Sequence, residues 1–278
     1  MTEHNLIELG DGVFSLCAPV PRFGLSNIGV VVEPDGVVLI DCGATPRQGH
    51  AVWRMLQHIT GSAEPTVKQV IVSSSRAAFT GGSSVFRSSA FLGTTPTSDE
   101  LDTPADPGMF RRLLPHLAND YPDDFTTRPI THTVDETTWI SDKVLLTALS
   151  GEATGNLVAS VPSAGVHFLG ALGTFGVTPL MFDGDPHQWM ASLDALTGDT
   201  YLLIPGHGPP GGAADASDLA HYLQACIDAE GNIDKLAEGP WQLWSDRRFD
   251  EVNIERAHLL SLDDHALPSK MFELLGFA

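Results

Sequence analysis

The sequence predicts a mixed α/β domain built from two similar halves and followed by a helical C-terminal extension. Three observations carry this expectation. Short β-rich runs open the chain, each half then passes through one amphipathic helix into a further apolar strand, and helical spacing takes over beyond Gly212.

Taken in order, runs at 12–16, 28–32 and 37–40, punctuated by Pro34-Asp35-Gly36, read as a meander of hairpins. A helix begins near Pro46, repeats Val52, Trp53, Leu56 and Ile59 at helical spacing, and stops at Gly61. The apolar run 67–72 then completes a β-α-β unit. Residues 94–130 interrupt the pattern with Pro, Thr and Asp and carry one helix-like patch at 109–117, which predicts a lid-like insertion. The second half repeats the first with strands at 143–149, 156–161 and 166–169. Its helix is capped by Asp185, has Pro186 at its first position, and places Trp189, Met190, Leu193 and Leu196 on one face. A strand at 201–204 closes this half, and 217–236 reads as one or two helices. The expected organisation is one α/β domain over 1–212 and a helical extension over 213–278 packed on it.

Charge bounds the partners. Fifteen Lys and Arg against 35 Asp and Glu give a formal net charge of −20, which repels phosphate backbones and anionic lipid headgroups. Nucleic acid and membranes are therefore excluded as expected partners, leaving a small-molecule substrate or ligand and, at most, a second copy of the chain. Met1 to Leu6 lack the basic-then-apolar pattern of a leader, and no apolar run reaches membrane-spanning length, so a cytoplasmic location is expected. Cys17, Cys42 and Cys226 are odd in number and widely spaced, as suits reduced thiols. Neither Gly81-Gly82 nor Gly211-Gly212 has the spacing of a nucleotide-binding loop.

The segment Val70-Ile71-Val72-Ser73-Ser74-Ser75-Arg76-Ala77-Ala78-Phe79-Thr80-Gly81-Gly82 resembles the turn on which the metallo-β-lactamase superfamily carries H-x-H-x-D-H before Thr-Gly-Gly. On that frame Ser74 and Arg76 stand at the first two histidines, Ala78 at the aspartate and Phe79 at the last histidine. The resemblance extends along the chain. Asp41-Cys42-Gly43 is similar to the Asp-x-Gly closing the opening hairpin, Glu152 falls at the next histidine, Ala171 at the bridging aspartate, and Pro205-Gly206-His207-Gly208 keeps the terminal Pro-Gly-His-Gly. The tail, with Asn253 to Ala257 and Leu267 to Met271, resembles the end of some bacterial hydrolase-like members. This resemblance implies a four-layer αββα sandwich and a site with six of seven metal positions changed.

A hydrolytic zinc centre needs about three protein ligands and an open position for water. The frame supplies only Glu152 and His207, and a guanidinium about 4 Å from a divalent ion is repelled by several kcal/mol at an effective dielectric of about 20. No metal and no cofactor are therefore expected. Arg76 reads as a fixed cation in the metal's place, able to hold a carboxylate or stabilise an oxyanion, with Glu152 and His207 as an acid–base pair beside it. The competing reading has Arg76 and Glu152 neutralising each other in an inert pocket. Ser74 is a candidate nucleophile if His207 reaches it, against ordinary loop hydrogen bonding for Ser73-Ser74-Ser75. Phe79 either fills the vacated volume or stacks on a ligand, and Ser75 and Phe23 are taken as further substrate-binding residues.

Other clusters carry less. Asp183 reads as a turn residue and Asp185 as a helix cap rather than as metal ligands with His187. Cys42 reads as a buried apolar residue, His50, His58 and His116 as helix residues, and Trp241 and Trp244 as packing of the extension. Two functions follow. One is a metal-independent hydrolase-, lyase- or cyclase-like enzyme acting on a small carbonyl-containing or anionic molecule in specialised metabolism; the other is a noncatalytic binding or scaffold protein.

Overall fold

A computed structural model describes residues 4–197 and 201–277; Met1 to Glu3 of the N-terminal segment and Ala278 of the extension lie outside them. Residues 5–133 form a seven-stranded sheet in sequence order: β1 (Asn5–Gly10), β2 (Val13–Cys17), β3 (Ile28–Glu33), β4 (Gly36–Ile40), β5 (Val67–Ile71), β6 (Ala90–Gly93) and β7 (His132–Thr133). β1 to β4 pair antiparallel, with the tight Pro34-Asp35 turn fixing Glu33 opposite Gly36. From β4 onward the pairing is parallel, which requires crossovers. The first crossover is α1 (Pro46–Thr60), where the Thr45 hydroxyl accepts from the Gln48 amide, Pro46 occupies the first turn, and Gly61 ends the helix at φ 66°.

The second sheet runs β12-β11-β10-β9-β8, with β8 (Thr138–Trp139), β9 (Leu145–Leu149), β10 (Asn156–Val161), β11 (Val166–Thr174) and β12 (Leu202–His207). Only β11 and β12 pair parallel within it, joined through α5 (Pro186–Thr197). Asp185 Oδ1 accepts from the amides of His187 and Gln188, the cap read from the sequence.

Apolar residues of the inner faces, among them Val31, Ile40 and Ile71 from one sheet and Leu157, Phe168 and Ile204 from the other, form the central core. Val52 and Leu56 of α1 cover the outer face of the first sheet. On the second sheet Trp189 and Leu193 of α5 are joined by Leu219, Tyr222 and Leu223 of α6 (Ala213–Asp228). Four layers result, α on β on β on α. The helical segment expected from residue 213 thus contributes its first helix to the sandwich, followed by α7 (Asp250–Ser261) and the short α8 (Ser269–Leu274). Trp241 and Trp244 pack on Tyr222 within the same core.

Several elements escape sequence patterning. β1 is an edge strand without a buried face, β6 has only four residues, and β7 and β8 have two each. β11 continues to Thr174 rather than stopping at 169, because Gly170 at φ 52° bends the strand without ending it. The insertion holds α3 (Thr95–Leu101), α4 (Pro107–Leu113) and a 3₁₀ turn at Pro115–Asp120, where the sequence suggested one helix-like patch. Among the described residues no helix is long and apolar enough to cross a membrane.

Candidate functional site

The C-terminal end of β5 runs into the turn 72–76 and then α2 (Ala77–Thr80), and the glycines after it explain how tightly this turn is held. A Cβ on Gly81 would sit 1.8 Å from Ala44 O, and one on Gly82 2.0 Å from Cys42 O. Asp41 locks the other side. At φ 63°, it accepts from the Ser73 amide at 2.9 Å and the Ser73 hydroxyl at 2.8 Å. Burial pushes its carboxyl up to about 7 against those two bonds. The turn that carries Ser74 and Arg76 is therefore fixed at one end by the Asp41 carboxylate and at the other by close backbone contact.

Arg76 is the hub of the site. Its Nε donates to Glu152 Oε1 at 3.0 Å, Nη1 lies 3.5 Å from Glu100 Oε2, and Nη2 pairs with Asp183 Oδ1. The Phe182 ring centroid is 5.7 Å from its guanidinium carbon. Burial works against the guanidinium's charge, but the three carboxylates more than compensate and raise its pKa. Glu152, in the β9–β10 loop, also accepts from Ser74 Oγ at 2.9 Å and Asn156 Nδ2 at 3.3 Å. Burial raises its pKa despite the opposing pull of Arg76.

His207 ends β12 on the other side of the hollow. Its ring lies 5.0 Å from the Phe23 ring and 5.3 Å from the Phe79 ring, centroid to centroid. Nδ1 is 3.2 Å from Leu25 O, so the carbonyl selects the tautomer protonated at Nδ1. Burial depresses its pKa to about 4, leaving the imidazole neutral near pH 7. Phe79, Ala78 and Ala171 pack together beside it, all buried.

Two spaces adjoin these groups. A cavity of about 440 Å³ has Ser75, Arg76 and Glu152 at one end, with α4 contributing Met109 and Phe110 and the C-terminal segment Leu275. Phe23, Arg76, Ala78, Glu152 and Leu180 also border a chamber of about 20 Å³, which Phe79, Ala171, Thr174, Trp189 and His207 complete. That chamber has room for about one water molecule. The buried Thr174 Oγ1 has no hydrogen-bond partner within the protein.

The structure thus gathers Arg76, Glu152, Ser75 and Phe23 around one cavity and sets His207 and Phe79 behind it. Two expectations change, those for Ser74 and Arg76, and Phe79 takes one of its two readings. Ser74 does not pair with His207: it is fully buried and donates to Glu152, because the turn points its hydroxyl across to the β9–β10 loop. Arg76 does not stand ready as an anion holder, since three carboxylates occupy its fork. Phe79 does not line the large cavity; it is 2 % exposed and fills the interior beside His207. Asp183, read as a turn residue, pairs with Arg76, and Glu100 of α3 joins it. A half-buried arginine favours carboxylate partners, a signal that predicts them without saying which of 35 acidic residues supply them.

Among the described residues no group of three or more His, Cys, Asp or Glu is arranged to hold a metal ion. The donor set does not suit zinc: Glu152 is bound by a guanidinium, and His207 has phenyl rings and Ala171 for neighbours rather than further ligands. His187 is exposed, and Cys42, fully buried with its thiol pushed upward by burial, donates to Phe79 O at 3.1 Å, a packing role.

No family model and no curated protein matches the chain. Solved structures do. The metallo-β-lactamase FIM-1 from Pseudomonas aeruginosa, in its mono-zinc form, superposes with a TM-score of 0.59 at 16% identity over 79% of this chain and 94% of that one. VMB-1 gives 0.59 at 15% identity, covering 80% and 96%. The stereoselective inverting sec-alkylsulfatase Pisa1 from Pseudomonas sp. gives 0.70 at 15% identity over 93% of this chain, which spans 50% of that protein. The chain has the metallo-β-lactamase fold.

Proposed function

We propose that this metallo-β-lactamase fold houses a metal-independent, hydrolase-type enzyme acting on a small, largely apolar carbonyl compound, with Glu152 as its proton-carrying residue. One observation carries the reading: Glu152 walls both a cavity of substrate size and a chamber with room for one water. In the proposed reaction, a water oxygen adds to the carbonyl carbon while Glu152 takes its proton. The bond to the leaving group then breaks, and the proton passes to that group. Arg76 holds the Glu152 carboxylate in place through Nε, and the neutral His207, with Nδ1 bonded to Leu25, orients the water as an acceptor through Nε2. Catalysis by a Ser74 nucleophile is set aside because that hydroxyl is buried against Glu152.

The test is metabolite profiling of a host carrying the parent chain or Glu152→Gln at matched protein levels. The variant host should accumulate an ester, lactone or amide whose hydrolysis product is present only with the parent. Coincident profiles would remove the enzyme and leave the second reading, a noncatalytic ligand-binding protein. That alternative draws support from the ion pairing of Arg76, which is the arrangement of a structural buried charge.

A further inference from the structure

Charge on the wall of the large cavity is unequal. Arg76 is the only basic residue lining it among the described residues, whereas Glu100, Asp106 and Glu152 all do, and Asp183 pairs with the same guanidinium from outside the wall. The rest of the lining is mostly apolar, with Met109, Phe110 and Leu113 of α4 facing Met271, Phe272 and Leu275 near the C-terminus. An anionic ligand entering here would meet a cation already engaged by three carboxylates. Each further carboxylate beside it adds repulsion, which weakens where water reaches the side chain.

We infer that the cavity selects an amphipathic cation: an apolar body lying between α4 and the C-terminal segment, with a protonated amine at the acidic end near Glu100. This deepens the proposed function and rests on the cavity being its ligand site. Glu100 suits the amine for a geometric reason. Its Oε2 takes both the Ser75 hydroxyl and the longer, 3.5 Å contact from Arg76, so Oε1 is the less committed oxygen, and its side chain is 32% exposed. The Glu152 carboxylate, with Arg76, Ser74 and Asn156 around it, is the more saturated acceptor. A protonated amine therefore docks at Glu100 rather than at Glu152.

The experiment measures the binding of octylamine, octan-1-ol and octanoate to the full chain by titration calorimetry at low ionic strength. Octylamine should bind at least tenfold more tightly than octanoate, with octan-1-ol between them, and added salt should narrow the gap. Glu100→Gln keeps the size and the acceptor for Ser75; it should lower octylamine affinity at least threefold and leave octan-1-ol unchanged, the latter reporting an intact cavity. Equal affinities, a preference for octanoate, or an unchanged octylamine affinity in Glu100→Gln would overturn the inference while the cavity keeps its role as a ligand site. If octan-1-ol also fails to bind, the cavity is not a ligand site and both readings fall.

Discussion

On one side of the inner chamber Arg76 reaches Glu152, Asp183 and Glu100; on the other, His207 lies between the rings of Phe23 and Phe79. The first side is held by charge. Its parts come from four separate stretches, the turn after β5, α3, the β9–β10 loop and the segment before α5, so removing one partner strands the others. The second side is held by packing and by a single backbone hydrogen bond to the imidazole. Chemistry that needs a charged group with exchangeable protons can run only on the first side, while the second sets shape and keeps its histidine neutral. The fold thus tolerates two solutions in one hollow, and they respond to perturbation in opposite ways.

The largest expected effect falls on the charged side. Arg76→Met should cost about 3 kcal/mol in chemical denaturation, because Glu152 is left buried without its cation. The double variant Arg76→Met with Glu152→Gln should recover at least half of that loss, as a coupled pair requires. Additive losses in the two variants would show that the carboxylates are satisfied independently of Arg76.

The same contrast explains what the sequence discloses. The strands of both sheet centres, α1 and α5 are legible because apolar periodicity and boundary signals such as Pro46, Gly61 and Asp185 act locally. Arg76 and Glu152 are legible as neighbours only through the frame that the resemblance supplies. Their partners Asp183 and Glu100 are not, since nothing local distinguishes them from other exposed acids and the pairing spans 107 and 24 residues. The cavity escapes for a related reason: α4 and the C-terminal segment meet across it through long-range contacts that no periodicity encodes. Phe79 shows the limit of reading one position on a frame, because it occupies a ligand's place in the sequence yet packs inward behind the cavity wall.

A smaller effect separates the two sides by pH. His207 titrates near 4 in the folded chain against an ordinary value of 6.5. The unfolded chain therefore takes up the proton first as pH falls, and stability should be lost between 6.5 and 4, by up to about 3 kcal/mol before the opposing contribution of Asp41. Asp41 works against it: with its folded value raised to about 7 from 3.8, stability should fall as pH rises through that interval. Denaturation curves at pH 4.5, 5.5 and 6.5 should show a flatter acid limb in His207→Leu than in the parent. Asp41→Asn, whose side chain tolerates the left-handed backbone at φ 63°, should show a steeper one. Parallel limbs in all three proteins would mean that neither group carries its shift.

The smallest expected effect, and the one that sharpens the contrast most, is that of metal. Zinc binding would stabilise the folded chain in proportion to the logarithm of metal concentration over its dissociation constant, so a tight site would raise the melting temperature and a chelator would lower it. Here a metal would have to displace Arg76 from Glu152 and reach His207 past Phe79 and Ala171, gaining two ligands while facing a guanidinium that cannot deprotonate. The expected shift on adding zinc, or on chelation, is within measurement error, and dialysed protein should contain well under one equivalent of zinc or iron. Arg76→His provides the control, since it removes the cation and adds a third ligand to Glu152 and His207; it should bind zinc measurably more tightly than the parent. Stoichiometric metal surviving dialysis of the parent chain would show that the charged side is not a substitute for a metal, and the division between the two sides would have to be redrawn.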